Sequence, residues 1–256
     1  MCLILLAYRA HPGYKLVVAA NRDEFYDRPT APLAFWDDAP EVLAGRDLKA
    51  GGTWLGITRN GRFAALTNYR DPARASPDAP SRGRLVGTCL REVESARAAL
   101  ERLVAQAGAY NGFNLLLGDG EGLFYTSNLI GEYRALEPGL YGLSNHLLNT
   151  PWPKLRRGLA ALRRALDQRP DPSPDDLLPL LTDRTPASDN ELPNTGVSLE
   201  WERWLSPIFI EAPGYGTRSS TVLLVNDAGC ARMVEMTWDD GCRREFHLDW
   251  PRALPA

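Results

Sequence analysis

Apolar residues fall along this chain in short runs bounded by turn residues, a pattern that reads mostly as strands. Leu3-Ile4-Leu5-Leu6-Ala7-Tyr8 and Lys15-Leu16-Val17-Val18-Ala19-Ala20 are two such runs, each of a length suited to a buried strand. His11-Pro12-Gly13-Tyr14 lies between them, and Pro-Gly is a strong turn signal. A turn centred on Pro12-Gly13 sets residue 11 against 14. Carried back along both strands, that register sets Cys2 against Asp23, with Arg22 and Glu24 beside it. A slip of one residue exchanges the faces.

Further on, 54–58 and 63–66 flank Asn60-Gly61, a favoured two-residue hairpin turn. Residues 69–84, rich in Pro, Arg and Ser, read as an irregular loop able to close over a site. Leu85 to about Ala107 has helical periodicity, with Leu90, Val93, Leu100, Leu103 and Val104 on one side and Cys89 in its core. A hairpin follows over 114–126, then strands at Tyr133–Leu136 and Leu140–Leu143. Helix returns from Pro153, well suited to a first turn, to about Leu166, and again over Asp175–Leu181. Residues 182–198 read as a polar connection. Ser219–Val225, Arg232–Trp238 and Arg243–Leu248 close the chain as a meander. Strands clustered in sequence around a block of helices imply antiparallel sheets with helical layers rather than a parallel βαβ sheet.

Composition narrows the class. A chain of 256 residues with a net charge of −3 is long enough for one domain with a substantial core, and residues 1–256 are expected to form a single domain. No basic stripe points to nucleic acid. Lysine occurs only at Lys15, Lys49 and Lys154. The N-terminal apolar run is too short for a membrane span and lacks a charged leader, so a cytoplasmic location is expected. Cys230, Cys242 and His247 match no common zinc spacing, and no metal site is expected. Oligomeric state is not readable from these patterns.

Cys2 directly follows Met1. Removal of the methionine leaves one residue carrying both a thiol and an α-amine of pKa about 7.7–8.0, near enough to neutrality to serve as a base. That is the logic of N-terminal nucleophiles; the alternative is a cysteine opening a buried strand. Asn21-Arg22-Asp23-Glu24 follows the second strand. Asp23 is suited to orient the α-amine by a charge-assisted hydrogen bond, and Arg22 to favour the thiolate. The competing account is a strand end with a surface ion pair.

Asn21-Arg22-Asp23-Glu24 resembles the tetrapeptide of the NRDE family, which includes proteins like transport and Golgi organisation protein 2. The resemblance continues through Gly51-Gly52-Thr53-Trp54-Leu55-Gly56, Leu66-Thr67-Asn68-Tyr69-Arg70, Ser81-Arg82-Gly83 and Tyr110-Asn111-Gly112-Phe113-Asn114-Leu115-Leu116. Gly142-Leu143-Ser144-Asn145, Thr150-Pro151-Trp152-Pro153-Lys154 and Tyr215-Gly216-Thr217-Arg218-Ser219-Ser220-Thr221 complete the set. Asn149 departs from it, standing where an acidic residue is expected.

This family is in turn similar to the cysteine branch of N-terminal-nucleophile hydrolases. The resemblance implies an α+β fold, a four-layer αββα sandwich with antiparallel sheets. It implies a catalytic set of Cys2, Arg22, Asp23, Asn145 and Arg218, with Asn21, Glu24, Trp54, Asn68, Arg70, Arg82 and His146 as substrate-facing candidates. Trp54 and Trp152 are more simply packing aromatics. Gly142 and Gly216 are positioned to let backbone approach a ligand. The expected activity is hydrolysis of a small-molecule, non-peptide amide or related acyl bond through a Cys2 acyl-enzyme, with no cofactor required. The alternative, also implied by resemblance, is non-catalytic binding and trafficking of haem, acyl-coenzyme A or lipid on the same scaffold, with Cys2 or His146 available to haem.

Overall fold

The computed structural model describes residues 2–251. The chain walks through β1 (Cys2–His11) and β2 (Tyr14–Phe25), then β3 (Thr30–Trp36), β4 (Ala39–Asp47), β5 (Leu55–Thr58) and β6 (Phe63–Asn68). Helices α1 (Gly83–Arg91) and α2 (Ala96–Gln106) follow. Next come β7 (Phe113–Gly118), β8 (Leu123–Ser127), β9 (Tyr133–Ala135) and β10 (Gly139–Leu143). Helices α3 (Pro153–Gln168), α4 (Pro174–Leu177) and α5 (Leu199–Trp204) precede β11 (Glu211–Ala212), β12 (Tyr215–Asn226), β13 (Cys230–Thr237) and β14 (Arg243–Asp249). The result is a mixed α+β protein with two antiparallel, seven-stranded sheets, as the sequence pattern implied.

Two compact units divide the described chain: residues 2–27, 70–73 and 138–247 in the first, and 28–69, 74–137 and 248–251 in the second. In the first, the sheet order is β10-β1-β2-β12-β13-β14, with β11 on β12. Leu3, Leu5 and Ala7 of β1 pack with Val17, Ala19, Val222 and Leu224 against Leu155, Leu162 and Leu166 of α3. The 155–162–166 spacing puts those leucines on one helical face. Gly158 lets that face approach, since a Cβ there would meet the Leu5 side chain at 2.7 Å. Truncating fully buried Leu5 to alanine costs about 2–5 kcal/mol.

The β1–β2 register differs by one from the hairpin expectation. His11 does face Tyr14, but Tyr8 faces Leu16 and Cys2 faces Arg22, not Asp23. A bulge between Tyr8 and His11 absorbs the extra residue, with Arg9 in the left-handed region at φ 45°. Such an insertion leaves two residues opposite one and resets every pair beyond it.

The second unit carries β3-β4-β5-β6-β7-β8-β9 in simple chain order. Helices α1 and α2 cover one face through Val86, Cys89, Leu90, Leu100 and Leu103, packed with Val42, Ala64, Leu115 and Leu117. The single helix expected over 85–107 is broken. Glu92 is extended, Val93 is 93 % exposed, and Ser95 caps a new helix by accepting from Ala98 N–H at 3.3 Å. An N-cap serine satisfies an orphan donor and fixes a start, and Asp119 accepts the Ala96 N–H at 2.6 Å as well. The strands at Tyr133–Ala135 and Gly139–Leu143 join different sheets. β3, β4 and α5 carried no signal recognised in the sequence.

Candidate functional site

The first unit gathers its polar residues at the end of the sheet where β1 begins. Cys2 opens β1 opposite Arg22. On the far side of β2, Ser219 pairs with Arg22 and Thr217 with Asp23, Arg218 being the extra residue of a second bulge. On the other flank, Ser144 continues from β10 and donates its hydroxyl to the Cys2 carbonyl at 3.2 Å. Cys2 is half-buried, while Arg22, Asp23 and Asn145 are buried.

Asp23 is held on several sides. Its Oδ1 accepts from Thr217 Oγ1 at 2.7 Å and its carbonyl from Tyr215 Oη at 2.9 Å, while its backbone amide acts to lower the Cys2 thiol pKa. Burial pushes the Asp23 carboxyl up, against the charges of Lys154 and Arg22 and the Thr217 hydrogen bond. Burial also pushes the Cys2 thiol up; the Asp23 carboxylate adds to that rise, and Arg22 and the Asp23 N–H oppose it. Thiol, carboxyl and guanidinium thus influence one another within a desolvated corner, where each charge acts more strongly than in water.

Lys154 is the residue sequence reasoning missed. It stands in the first turn of α3, is 2 % exposed, and donates from Nζ to the Leu205 carbonyl at 3.0 Å. Burial lowers its pKa to about 8, with Asp23 opposing that fall and Arg70 adding to it. Its signal was its rarity, as one of three lysines and the one inside a motif block. Nearby, Arg70 and Glu202 form a buried ion pair at 2.9 Å. Thr195 donates to Glu202 at 2.6 Å, and the Arg70 guanidinium lies 5.2 Å from the Trp152 ring centroid. The Arg70 backbone N–H donates to the Asn145 carbonyl at 2.8 Å. The cavity among Arg70, Trp152, Lys154 and Glu202 has a volume of about 10 Å³, room for one water at most. Arg70 thus spends one guanidinium nitrogen on an internal ion pair with Glu202.

Other expected residues have their own engagements. Asn21, paired with Leu3, donates to the carbonyls of Leu181 and Ile208 at 2.8 and 2.9 Å and accepts from Ser220 Oγ at 2.6 Å. Its amide fastens two loops to the sheet. Glu24 accepts from the Phe25 N–H at 3.0 Å. Arg218 pairs with Asp239 and donates to the Phe25 carbonyl at 2.8 Å. His146 meets Thr150 Oγ1 at 2.8 Å and leans on Trp152, with ring centroids 5.9 Å apart. Desolvation lowers its pKa. Asn145, fully buried, accepts from Ser144 Oγ at 3.3 Å.

Trp54, Asn68 and Arg82 belong to the second unit. There the Trp54 ring fills the space where a Gly45 Cβ would stand, Asn68 pairs with Phe113 at the end of β6, and Arg82 donates to the Gly112 carbonyl at 2.9 Å. Gly142 and Gly216 make room for protein rather than ligand. A Cβ on Gly142 would meet Leu155 at 2.9 Å, and one on Gly216 would meet the Ile210 carbonyl at 2.6 Å. Asn149 takes φ 62° and exchanges two bonds with Gly142: its Oδ1 accepts at 2.9 Å and its N–H donates at 2.8 Å. Asparagine tolerates that left-handed turn better than most residues. Met1, whose removal the nucleophile requires, lies outside the described residues. Among the described residues no group of His, Cys, Asp and Glu is arranged to hold a metal, and no helix is long and apolar enough to cross a membrane.

Fold and site define an α+β protein with a half-buried cysteine at a sheet end, set among buried Arg, Asp and Asn. Residues 1–240 match the family model described as Transport and Golgi organisation 2, and the chain belongs to that family. It is 36 % identical over 261 residues to the Transport and Golgi organization 2 homolog of Mus musculus, with 94 % of each chain covered. It is 38 % identical over 256 residues to the Bos taurus homolog, with 92 % of each covered. Among solved structures it is similar to a Caenorhabditis elegans N-acylethanolamine-hydrolyzing acid amidase ortholog. There the TM-score is 0.48 at 10 % identity, over 87 % of this chain and 92 % of that one.

Proposed function

We propose that this chain is a cysteine acyl hydrolase acting on a small-molecule amide or related acyl bond, with Cys2 as nucleophile once Met1 has been removed. The observation that supports it is the Cys2 corner: a half-buried cysteine opposite Arg22 across the sheet and within the electrostatic reach of Arg22 and Asp23. In this reading the freed α-amine accepts the thiol proton, and the thiolate adds to the carbonyl carbon. Asn145 donates its amide N–H to the developing oxyanion, a contact type whose loss costs about 2.7–4 kcal/mol. Collapse breaks the bond to the leaving group, which departs with the proton from the α-ammonium. Water, deprotonated by the same amine, then cleaves the thioester and restores the thiol. Asp23 holds the amine in position, and Arg22 supplies positive potential at the sulfur.

Intact-mass spectrometry supplies the test. The purified protein is first weighed to establish whether Met1 is gone. It is then incubated with a panel of p-nitroanilides and S-acyl thioesters of graded acyl length. A mass increase equal to the acyl group, located on Cys2 and absent from Cys2→Ala, is the expected result. Retained Met1, binding without acylation, or hydrolysis that survives Cys2→Ala would overturn the proposal and leave a carrier as the better account.

A further inference from the structure

A second cavity in the first unit has no part in the Cys2 chemistry. It lies between the segment after 183 and the segment running from α5 into β11, and its volume is about 610 Å³. That is within the usual range for small-molecule sites. Its apolar wall is made by Pro186, Trp204, Pro207 and Phe209. Trp204 is 39 % exposed, which leaves part of its indole open to a ligand. Phe209 is held rigidly, edge-on to Trp238 at 5.2 Å and capped by the Arg184 guanidinium at 4.1 Å.

The rim decides the charge of the occupant. Arg184 and Arg203 face three carboxylates, Asp189, Glu200 and Glu211, which leaves one net negative charge. Both arginines are already engaged within the protein. Arg203 binds Asp189 through two bonds of 2.8 and 2.6 Å, and Arg184 binds Glu211 through two of 2.9 and 3.3 Å. An anionic ligand would have to break one of these two-pronged pairs and would strand the released carboxylate beside itself. A cation breaks nothing: it meets the surplus carboxylate and a partly exposed indole, whose ring quadrupole attracts cations.

We propose that this cavity binds an organic monocation with an apolar body, of the aryl- or alkylammonium class. The body lies against Trp204 and the two prolines, and the ammonium sits by Glu200. The site stands independently of Cys2, since none of its lining residues is among those around the thiol.

Isothermal titration calorimetry with three benzyl probes tests it: benzyltrimethylammonium, benzyl alcohol and benzylphosphonate. The cation is expected to saturate one site and to bind about fivefold more tightly than the neutral alcohol, the ratio an exposed cation–π contact supports. The phosphonate is expected to bind most weakly. Glu200→Gln should bring the cation down to the level of the alcohol, and Trp204→Ala should weaken both. Neither side chain is buried, so both variants are expected to fold, which circular dichroism checks. Equal or tighter binding of the phosphonate, unchanged cation binding in both variants, or no saturable binding of any probe would overturn the assignment. Acylation at Cys2 is untouched by any of these outcomes, so the two proposals fail separately.

Discussion

Arg62 in the second unit and Lys154 in the first are both buried, and the two are satisfied in opposite ways. In the second unit Arg62 is 2 % exposed and spends its guanidinium on main-chain carbonyls, Cys89 O at 2.8 Å and Glu94 O. These carbonyls lie at and just past the C-terminal end of α1, where the helix dipole favours a cation. Its task is to close a helix end. In the first unit Lys154 donates to the Leu205 carbonyl. Its charge also acts on Asp23, Arg70, Cys2 and Glu202. A cation surrounded by backbone dipoles is architecture, whereas one surrounded by other ionisable groups sets their protonation. The same contrast runs through the sheets. The helix-covered faces of both sheets are apolar, but the buried polar residues differ in charge: Arg22 and Asp23 lie on β2 of the first sheet, whereas Thr58, Thr67, Asn114, Thr126 and Ser127 of the second are neutral.

Experiments that break the contrast differ in size. The largest effects are expected on chemistry. Cys2→Ala should abolish the acyl adduct, and Asn145→Ala should slow acylation by about 10²–10³-fold, read by the time course of mass increase. Arg62→Met should leave that time course unchanged, and a slowed reaction there would erase the distinction between the units.

On stability, Glu202→Gln comes first. It leaves the Arg70 guanidinium, whose side chain is 6 % exposed, without its carboxylate, at a cost of about 3–5 kcal/mol in urea denaturation. Arg62→Met follows at about 2–3 kcal/mol, since a buried and a part-buried carbonyl lose a charged donor.

Lys154→Met should act through pH. Lys154 holds its proton with a pKa of about 8 in the folded chain against 10.5 for the free side chain. Below pH 8 the cost of a buried ammonium is fully present. From there to 10.5 the unfolded chain keeps a proton the folded one has released, so wild-type stability rises with pH through that window. Relative to Lys154→Met, it should gain up to about 3 kcal/mol, measured by urea midpoints at pH 7, 9 and 10.5. A flat difference across that range would remove Lys154 from the ionisable network.

The smallest effect belongs to the surface. The hydrogen bond from Arg232, joined by one from His247, holds the Glu245 carboxyl down to about 2. Its contribution is present above the ordinary carboxylate pKa of 4.5 and is lost as pH falls toward 2. Glu245→Gln should cost less than about 1 kcal/mol at neutral pH.

Sequence by itself determined the apolar strand runs, the hairpin turns at Pro12-Gly13 and Asn60-Gly61, the start of α3 at Pro153 and the arrival of Arg22 and Asp23 beside Cys2. Each depends on residues close in the chain, where periodicity and turn chemistry act directly. It did not determine the register. The bulge at Arg9 is a local backbone choice, and it moves Cys2 from Asp23 to Arg22. The break at Glu92–Ser95 escaped for a related reason: helical periodicity persists across it, and the stop is enforced from elsewhere by Arg62 and Asp119.

Tertiary structure alone decided which polar residues are spent. Asn21 and Arg70 find their partners in Leu181, Ile208 and Glu202, which come to them from more than 100 residues away. It likewise raised Lys154 from a composition detail to a buried charge beside Asp23. Burial and partner identity are long-range properties, and a buried charge takes its meaning from what surrounds it.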